Sequence, residues 1–146
     1  MKLLIFIHSL SSGGAERVTV NLANHWAGKG WEITIVTLAP QSDDFYKLHP
    51  AVKRIALELS GDSANLLVGL LQNLRRVLAL RRVLREIQPT IALGMTTAAN
   101  VLLGLAAWGL SKVRAIGSER IHPPQCPVGP LWEGLRRLGY GRLVAV

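Results

Sequence analysis

Two adjacent glycines near the start of the chain, Gly13 and Gly14, are the residues best placed for chemistry. They separate an apolar segment, residues 3–7, from a segment in which apolar residues recur at helical spacing from Val18 onward. This order predicts a strand, a turn and a helix N-terminus, the first unit of a doubly wound α/β domain. Glycines adopt φ values that other residues avoid and let another molecule approach the backbone. The unpaired N–H groups and the positive end of the helix dipole favour a phosphate or carboxylate there.

The same residues have a second, purely geometric explanation. Many turns contain glycine only because the backbone conformation requires it. Glu16, in the first turn of the predicted helix, is explained equally well by a favourable interaction with the helix dipole. Both explanations stay open for Gly13, Gly14 and Glu16.

Other polar side chains follow later apolar segments that we expect to be strands. These further candidates for ligand binding are Thr96, Thr97, Asn100, Glu119 and Arg120. Parallel strands place their C-terminal ends at one edge of a sheet, so we expect these side chains to share one concave surface with Gly13 and Gly14. The threonines offer hydroxyls, and Asn100 is expected to face either this cleft or a neighbouring loop.

Glu119 and Arg120 are the strongest charged candidates, because they come directly after a predicted strand. An arginine there can bind a phosphate through two hydrogen bonds, and Glu119 can orient it or accept a hydrogen bond from a ligand hydroxyl. An ion pair between these two residues, which would only fix the loop, is the alternative. His122 lies beyond them before two prolines, and we assign it no catalytic role.

The elements that must position these residues alternate between strands and helices. The predicted strands are residues 3–7, 32–38, 52–57, 90–93, 114–118 and 141–146. The predicted helices are residues 15–29, 65–88 and a third that begins after Thr96 or Thr97 as its cap and reaches residue 110, with a short helix within 127–138. We expect the first helix to end at Gly30 in a left-handed conformation, with Val18, Leu22, Ala23 and Trp26 on the sheet. This alternation predicts a Rossmann-like three-layer α/β/α domain with a mostly parallel sheet of about six strands.

The residues around the glycines extend into a longer pattern. Its parts are Gly13-Gly14-Ala15-Glu16-Arg17, Asn21-Leu22-Ala23 and Gly30-Trp31-Glu32-Ile33-Thr34-Ile35-Val36-Thr37. They resemble the start of family 4 glycosyltransferases, in which a Gly-Gly loop is followed by a helix carrying Glu-Arg and Asn-Leu-Ala. Gly117-Ser118-Glu119-Arg120 is similar to the Ser-Glu-Arg-Asn segment of bacterial members that extend polysaccharide or lipid-linked glycan chains.

The resemblance implies a retaining enzyme of the GT-B type, built from two Rossmann-like domains with the active site between them. Residues 1–146 are then expected to be the N-terminal, acceptor-side domain, with the C-terminal donor domain absent, and the chain alone is predicted to be inactive. The implied substrates are a nucleotide sugar, with UDP as the expected nucleotide, and a glycan or lipid-linked acceptor. No cofactor is expected, and no residue of this domain is assigned as catalytic.

Charge and composition favour anionic partners. The chain has 17 Lys and Arg against 9 Asp and Glu, a net charge of +8, which suits phosphorylated molecules or anionic lipids. No groove-reading motif supports nucleic acid. The predicted 65–88 helix has two apolar faces and five arginines, Arg75, Arg76, Arg81, Arg82 and Arg85. This combination is typical of a helix at a membrane surface, although an ordinary solvated arginine face is the preferred interpretation.

Several other classes of site and protein are less well supported. Asp43 and Asp44 lack a histidine or third acid at ligand spacing, so we expect a solvated loop and no metal site. A single cysteine, Cys126, fits a reducing cytoplasm, and we expect a cytoplasmic protein or one peripheral on the inner face of the membrane. Residues 11–16 do not form the G-x-G-x-x-G of dinucleotide-binding oxidoreductases. A non-catalytic binding or regulatory module of the same fold remains the other alternative.

Overall fold

One parallel sheet of six strands organises the domain. The computed structural model describes residues 1–61 and 65–118 and the backbone of the short strand at 144–145. The strands are β1 Lys2–Ile7, β2 Glu32–Thr37, β3 Lys53–Ala56, β4 Ile91–Gly94, β5 Arg114–Gly117 and β6 Val144–Ala145, in the spatial order β3-β2-β1-β4-β5-β6. The helices within the described residues are α1 Gly14–Gly28, α2 Leu66–Ile87 and α3 Thr97–Ala107. The Rossmann-like three-layer architecture predicted from the sequence is confirmed.

Strand β1 lies at the centre of the sheet and is buried on both faces. Leu3 is the register partner of Ile33 in β2 and of Ile91 in β4. Residues 3–7 are all buried, which explains why this strand is an uninterrupted apolar run instead of an alternating one. Its odd-numbered side chains pack against α1, whereas Leu4 and Phe6 pack against α2 and α3.

Helix α1 packs on the sheet through its smaller residues. Its fully buried residues are Thr19, Val20, Ala23 and Ala27. Of the stripe predicted from the sequence only Ala23 is fully buried, and the larger side chains of that stripe are half-buried at the margins of the contact. Small residues in the middle of the contact let the helix axis approach the strands closely. The predicted left-handed conformation at Gly30 is confirmed by its φ of +80°.

Helix α2 is divided into two unlike halves. In its second half Leu80 and Leu84 are fully buried, and Val77, Val83 and Ile87 pack beside them. The leucines of its first half are exposed to solvent. The helix ends at Gln88, which has a left-handed φ of 50° just before Pro89.

Helix α3 ends three residues earlier than the sequence predicts. Trp108 leaves the helical conformation, and Gly109 follows with a φ of +76°. The guanidinium group of Arg81 in α2 donates to the carbonyl oxygens of Ala106 and Trp108, at 2.9 and 2.6 Å. This side chain satisfies carbonyls that the helix itself leaves unpaired, and so it stabilises the early end.

Candidate functional site

The order of the strands defines one edge of the sheet as the place for a ligand. The chain leaves β1 towards α1 on one face and leaves β4 towards α3 on the opposite face. In open α/β sheets such a switch point opens a crevice at the C-terminal ends of the two strands. The loops after β1 and β4 lie on either side of this crevice, and the end of β5 lies next to β4, where the Ser118 amide donates to the Gly94 carbonyl at 2.8 Å.

Gly13 and Gly14 do not adopt a conformation that requires glycine. Gly13 precedes α1 with φ −105° and ψ 168°, which is ordinary extended backbone, and Gly14 is the first residue of the helix. The expected need for unusual φ values is therefore wrong at both positions. What the two glycines provide is space: a Cβ on Gly13 would overlap the Glu16 carboxylate, whereas a Cβ on Gly14 would meet no atom within 4 Å.

Glu16 occupies the N-terminus of α1 with its own carboxylate. The side chain folds back over Gly13 and lies half-buried in the first helical turn, as the interaction with the helix dipole predicts. A negative group at this position weakens the attraction of the helix N-terminus for a phosphate. It is, however, a good hydrogen-bond acceptor for a hydroxyl group of a sugar.

The loop that follows β2 supports the Gly-Gly loop from behind. The Tyr46 hydroxyl donates to the Gly13 carbonyl at 3.2 Å, and the Phe45 amide donates to the Leu10 carbonyl at 2.9 Å. The His8 carbonyl accepts from the amides of the two residues that follow β2, at 3.0 and 2.9 Å. These bonds hold the Gly-Gly loop in one position relative to the sheet.

Asp44 anchors this supporting loop, which corrects the prediction of a fully solvated segment. Its carboxylate accepts two hydrogen bonds from Arg54 in β3, at 2.8 and 2.9 Å. The side chains of Arg54 and Asp44 are only 6% and 14% exposed. Both carboxylate oxygens are engaged by the guanidinium, so Asp44 has a structural role. Among the residues that the structure describes, no three His, Cys, Asp or Glu side chains are grouped to hold a metal ion.

The three candidate residues after β4 differ in burial: Thr96 and Thr97 are partly exposed, whereas Asn100 is not. The Thr96 hydroxyl caps α3 by accepting from the Ala99 amide at 3.4 Å, which confirms Thr96 as the cap. Thr97 begins the helix, and both threonines are half-buried. Asn100 is completely buried and donates from its side-chain amide to the Ser118 carbonyl. Of the two expectations for Asn100, the structure supports the contact with a neighbouring loop.

Two predicted site residues lie outside the described part of the chain. They are Glu119 and Arg120, and His122 and Cys126 are also outside it. The roles predicted for Glu119 and Arg120, and their place on a surface shared with Gly14, stay predictions.

His8 is a polar residue of this edge that the sequence reasoning did not select. It directly follows β1, and its side chain is exposed at the end of the central strand. A histidine immediately after an apolar strand segment was the available signal, because ligand sites of parallel sheets lie at that position. Its exposure makes it accessible to a molecule in the crevice.

The comparison with known families decides the classification. Residues 12–143 match the family model described as Glycosyltransferase Family 4. The chain belongs to glycosyltransferase family 4. The match runs from the residue before the Gly-Gly pair to the region of the sixth strand, so the resemblance stated from the sequence motifs is confirmed.

Individual relatives agree with membership of family 4. The chain is 33% identical over 141 residues to a Campylobacter jejuni enzyme named GalNAc-alpha-(1->4)-GalNAc-alpha-(1->3)-diNAcBac-PP-undecaprenol alpha-1,4-N-acetyl-D-galactosaminyltransferase. The alignment covers 96% of this chain and 38% of that relative. The chain therefore spans less than half of the length of the relative that it matches.

Solved structures share the fold. A sucrose-phosphate synthase from Thermosynechococcus elongatus superposes with a TM-score of 0.62 at 13% identity, over 96% of this chain and 39% of that one. The HepE protein of Anabaena, solved in complex with UDP, superposes with a TM-score of 0.60 at 14% identity, over 99% of this chain and 36% of that one. At these identities the likeness establishes the Rossmann-like fold and no more.

Proposed function

We propose that this domain is the N-terminal, acceptor-side half of a retaining GT-B glycosyltransferase that transfers a sugar from a UDP-sugar to a lipid-linked glycan. The observation that carries the proposal is the family 4 match along residues 12–143. The name of the Campylobacter relative describes a diphosphate-undecaprenol acceptor, which supports the lipid-linked substrate. The HepE structure contains UDP, which supports UDP as the nucleotide of the sugar donor.

The chemistry is that of a retaining glycosyltransferase, as membership of family 4 implies. During transfer, the bond between the anomeric carbon and the diphosphate breaks, and an acceptor oxygen bonds to that carbon on the same face of the sugar. The acceptor hydroxyl loses its proton to the departing diphosphate. Backbone N–H groups beside the open face of Gly14 would stabilise negative charge on the diphosphate as it leaves. Glu16 would accept a hydrogen bond from a sugar hydroxyl, and thereby orient it.

We propose further that α2 contacts the membrane in which such an acceptor is embedded. Its first half carries large apolar side chains that are between 42% and 80% exposed: Leu66, Leu67, Val68, Leu70, Leu71 and Leu74. Arg75, Arg82 and Arg85 are exposed further along the helix, where they would meet anionic headgroups. In this proposal α2 lies on the membrane surface. No helix among the described residues has the length and hydrophobicity to cross a bilayer.

Not all five arginines are available for this contact. Arg76 donates to the carbonyls of Leu59 and Gly61, each at 2.8 Å. Arg81 donates to the end of α3. These two side chains have structural partners, so the proposed headgroup contacts are assigned to the other three.

The test of the transferase activity is release of UDP by the purified full-length enzyme. The donors are UDP-glucose, UDP-galactose and their N-acetyl derivatives, and the acceptor is a glycan linked to undecaprenyl diphosphate. We expect UDP release with at least one donor, dependent on the acceptor, and an extended glycan in the mass spectrum. Binding of a nucleotide sugar without transfer to any acceptor would favour the regulatory module instead.

A further inference from the structure

Two glycines at the ends of neighbouring strands make room for one buried side chain. Gly94 in β4 and Gly117 in β5 are direct register partners. A Cβ on Gly117 would lie 3.0 Å from Cγ of Asn100, and a Cβ on Gly94 would lie 3.1 Å from its Cα and overlap its side-chain oxygen. The carboxamide of Asn100 therefore lies against both strand ends, in a space that exists because both residues lack a side chain.

The carboxamide also holds the residue at which the chain leaves β5. The side-chain Nδ2 of Asn100 donates to the Ser118 carbonyl at 3.3 Å, and the Ser118 amide donates to the Gly94 carbonyl at 2.8 Å. Ser118 is thus held by two hydrogen bonds. Its carbonyl accepts from Asn100 of α3, and its amide donates to Gly94 of β4. The Asn100 backbone is itself fixed, because its amide donates to the Thr96 carbonyl at 2.8 Å.

An apolar residue would be the simpler choice at this position. Asn100 is completely buried, while its neighbours in α3 that face the sheet are aliphatic. Burying a carboxamide is unfavourable unless its hydrogen bonds are made. A leucine or alanine at the same core position would carry no such free-energy cost. A buried polar contact of this kind gives the strand ends one defined geometry.

We propose that Asn100 is a positioning residue for the transfer reaction. It fixes the backbone at Ser118, and therefore the point at which the chain leaves β5 at the C-terminal edge of the sheet, where the candidate contacts Gly14 and Thr96 also lie. This inference rests on the proposed glycosyltransferase function. Asn100 is buried and acts through the backbone of Ser118, so it is not a catalytic residue. An error of about 1 Å in a positioned group lowers turnover by about 100-fold.

The test compares Asn100→Ala with Arg81→Ala in the full-length enzyme. Arg81 is a suitable control because its side chain also holds a segment through backbone carbonyls, those of Ala106 and Trp108 at 2.9 and 2.6 Å, but that segment lies at the end of α3, away from the C-terminal edge of the sheet. Hydrogen exchange measures the Ser118 and Trp108 amides, calorimetry measures UDP binding, and steady-state kinetics measure kcat and KM with the donor that wild type uses.

We expect Asn100→Ala to raise exchange at Ser118 at least tenfold, to lower kcat about 100-fold, and to leave UDP affinity and donor KM within about twofold. Arg81→Ala should raise exchange at Trp108 and leave kcat unchanged, with a loss of Tm similar to that of Asn100→Ala. If Asn100→Ala does not fold, Asn100→Leu keeps a similar size and removes the donor, and the same readings apply to it.

Two results would overturn the inference. One is faster exchange at Ser118 with kcat within twofold of wild type, and the other is unchanged exchange at Ser118. Hydrogen exchange needs no substrate, so a wild-type enzyme without transferase activity would refute the proposed function and leave the Ser118 contact to be judged by exchange alone. In that case, exchange at the Ser118 amide that is the same in Asn100→Ala as in wild type would still refute the contact between Asn100 and Ser118.

Discussion

At the scale of single residues, the glycines of this domain have different structural roles. Gly30 is needed for its positive φ, whereas Gly13 leaves room for the Glu16 carboxylate, and Gly14 borders open space. The sequence predicted the pair of glycines as a candidate ligand contact and left a purely geometric explanation open. It did not predict that Gly13 leaves room for Glu16, because the direction of the Glu16 side chain depends on the geometry of the first helical turn.

Gly14→Leu should impair the enzyme far more than it destabilises it. The added side chain meets no protein atom near its Cβ, and leucine is a better helix residue than glycine, so we expect Tm to change by less than about 3 °C. The side chain would fill the space beside the crevice and lower kcat/KM at least tenfold. Gly28→Leu is the control, because Gly28 also has open space around it but lies at the other end of α1. Equal activity of the two variants would remove Gly14 from the site.

Glu16→Gln should strengthen the binding of UDP. The carboxylate occupies the positive end of the α1 dipole, and removing its charge makes that end available to a phosphate. A charge at a helix end is worth about 0.3–1 kcal/mol, so we expect a two- to fivefold lower Kd by calorimetry, with a small decrease in Tm. Glu32→Gln, an exposed glutamate at the start of β2, should leave the Kd unchanged. Weaker UDP binding by Glu16→Gln would mean that the carboxylate itself contacts the donor.

At the scale of elements, periodicity predicted the existence and type of every described strand and of all three long helices. The residues at which the helices and strands end were harder to predict from the sequence. Helix α3 stops at Ala107 with the help of Arg81, which is 25 residues away in the chain. The Asn100 contact likewise requires Gly94 and Gly117 to be register partners, and a sequence alone does not state register. Contacts between distant parts of the chain therefore set the details that local patterns leave open.

Replacing the three exposed arginines of α2 by glutamine should weaken binding to anionic vesicles. Each basic residue near such a surface contributes about 1 kcal/mol, so the variant Arg75→Gln, Arg82→Gln, Arg85→Gln should lose about 100-fold in affinity. Sedimentation with vesicles of phosphatidylglycerol and phosphatidylcholine measures this, and added salt should weaken wild-type binding. The control replaces Arg17, Lys29 and Lys53, which are exposed outside α2. Equal losses in both variants would indicate attraction by net charge alone, and no wild-type binding would return α2 to a solvated helix.

At the scale of the whole molecule, the candidate site residues of the described fold lie at one edge of the sheet. The crevice between β1 and β4, the Gly-Gly loop and the end of β5 all lie at the C-terminal edge of the sheet. The chain covers 38% of its Campylobacter relative, and no Glu-x₇-Glu motif, which the family resemblance places in the donor domain, occurs in residues 1–146.

Residues 1–146 on their own should not transfer sugar. The proposed reaction needs a second domain to enclose the nucleotide and to keep water from the reacting centre, which strengthens the electrostatic interactions there. The measurement is UDP release from each UDP-sugar, with and without acceptor, against the full-length enzyme as the positive control. If residues 1–146 transfer sugar at a rate comparable to that of the full-length enzyme, the proposed need for a second domain is contradicted.

The stacked indole rings of Trp26 and Trp31 give the domain an optical signal of its own. Their centroids are 5.6 Å apart and their planes differ by 11°. Rings this close couple electronically, so the pair should produce a paired positive and negative band in circular dichroism in the ultraviolet. Because Trp26 belongs to α1 and Trp31 precedes β2, this band would disappear when the end of the helix separates from the sheet. Undocking of α1 could then be followed in solution without attaching a dye.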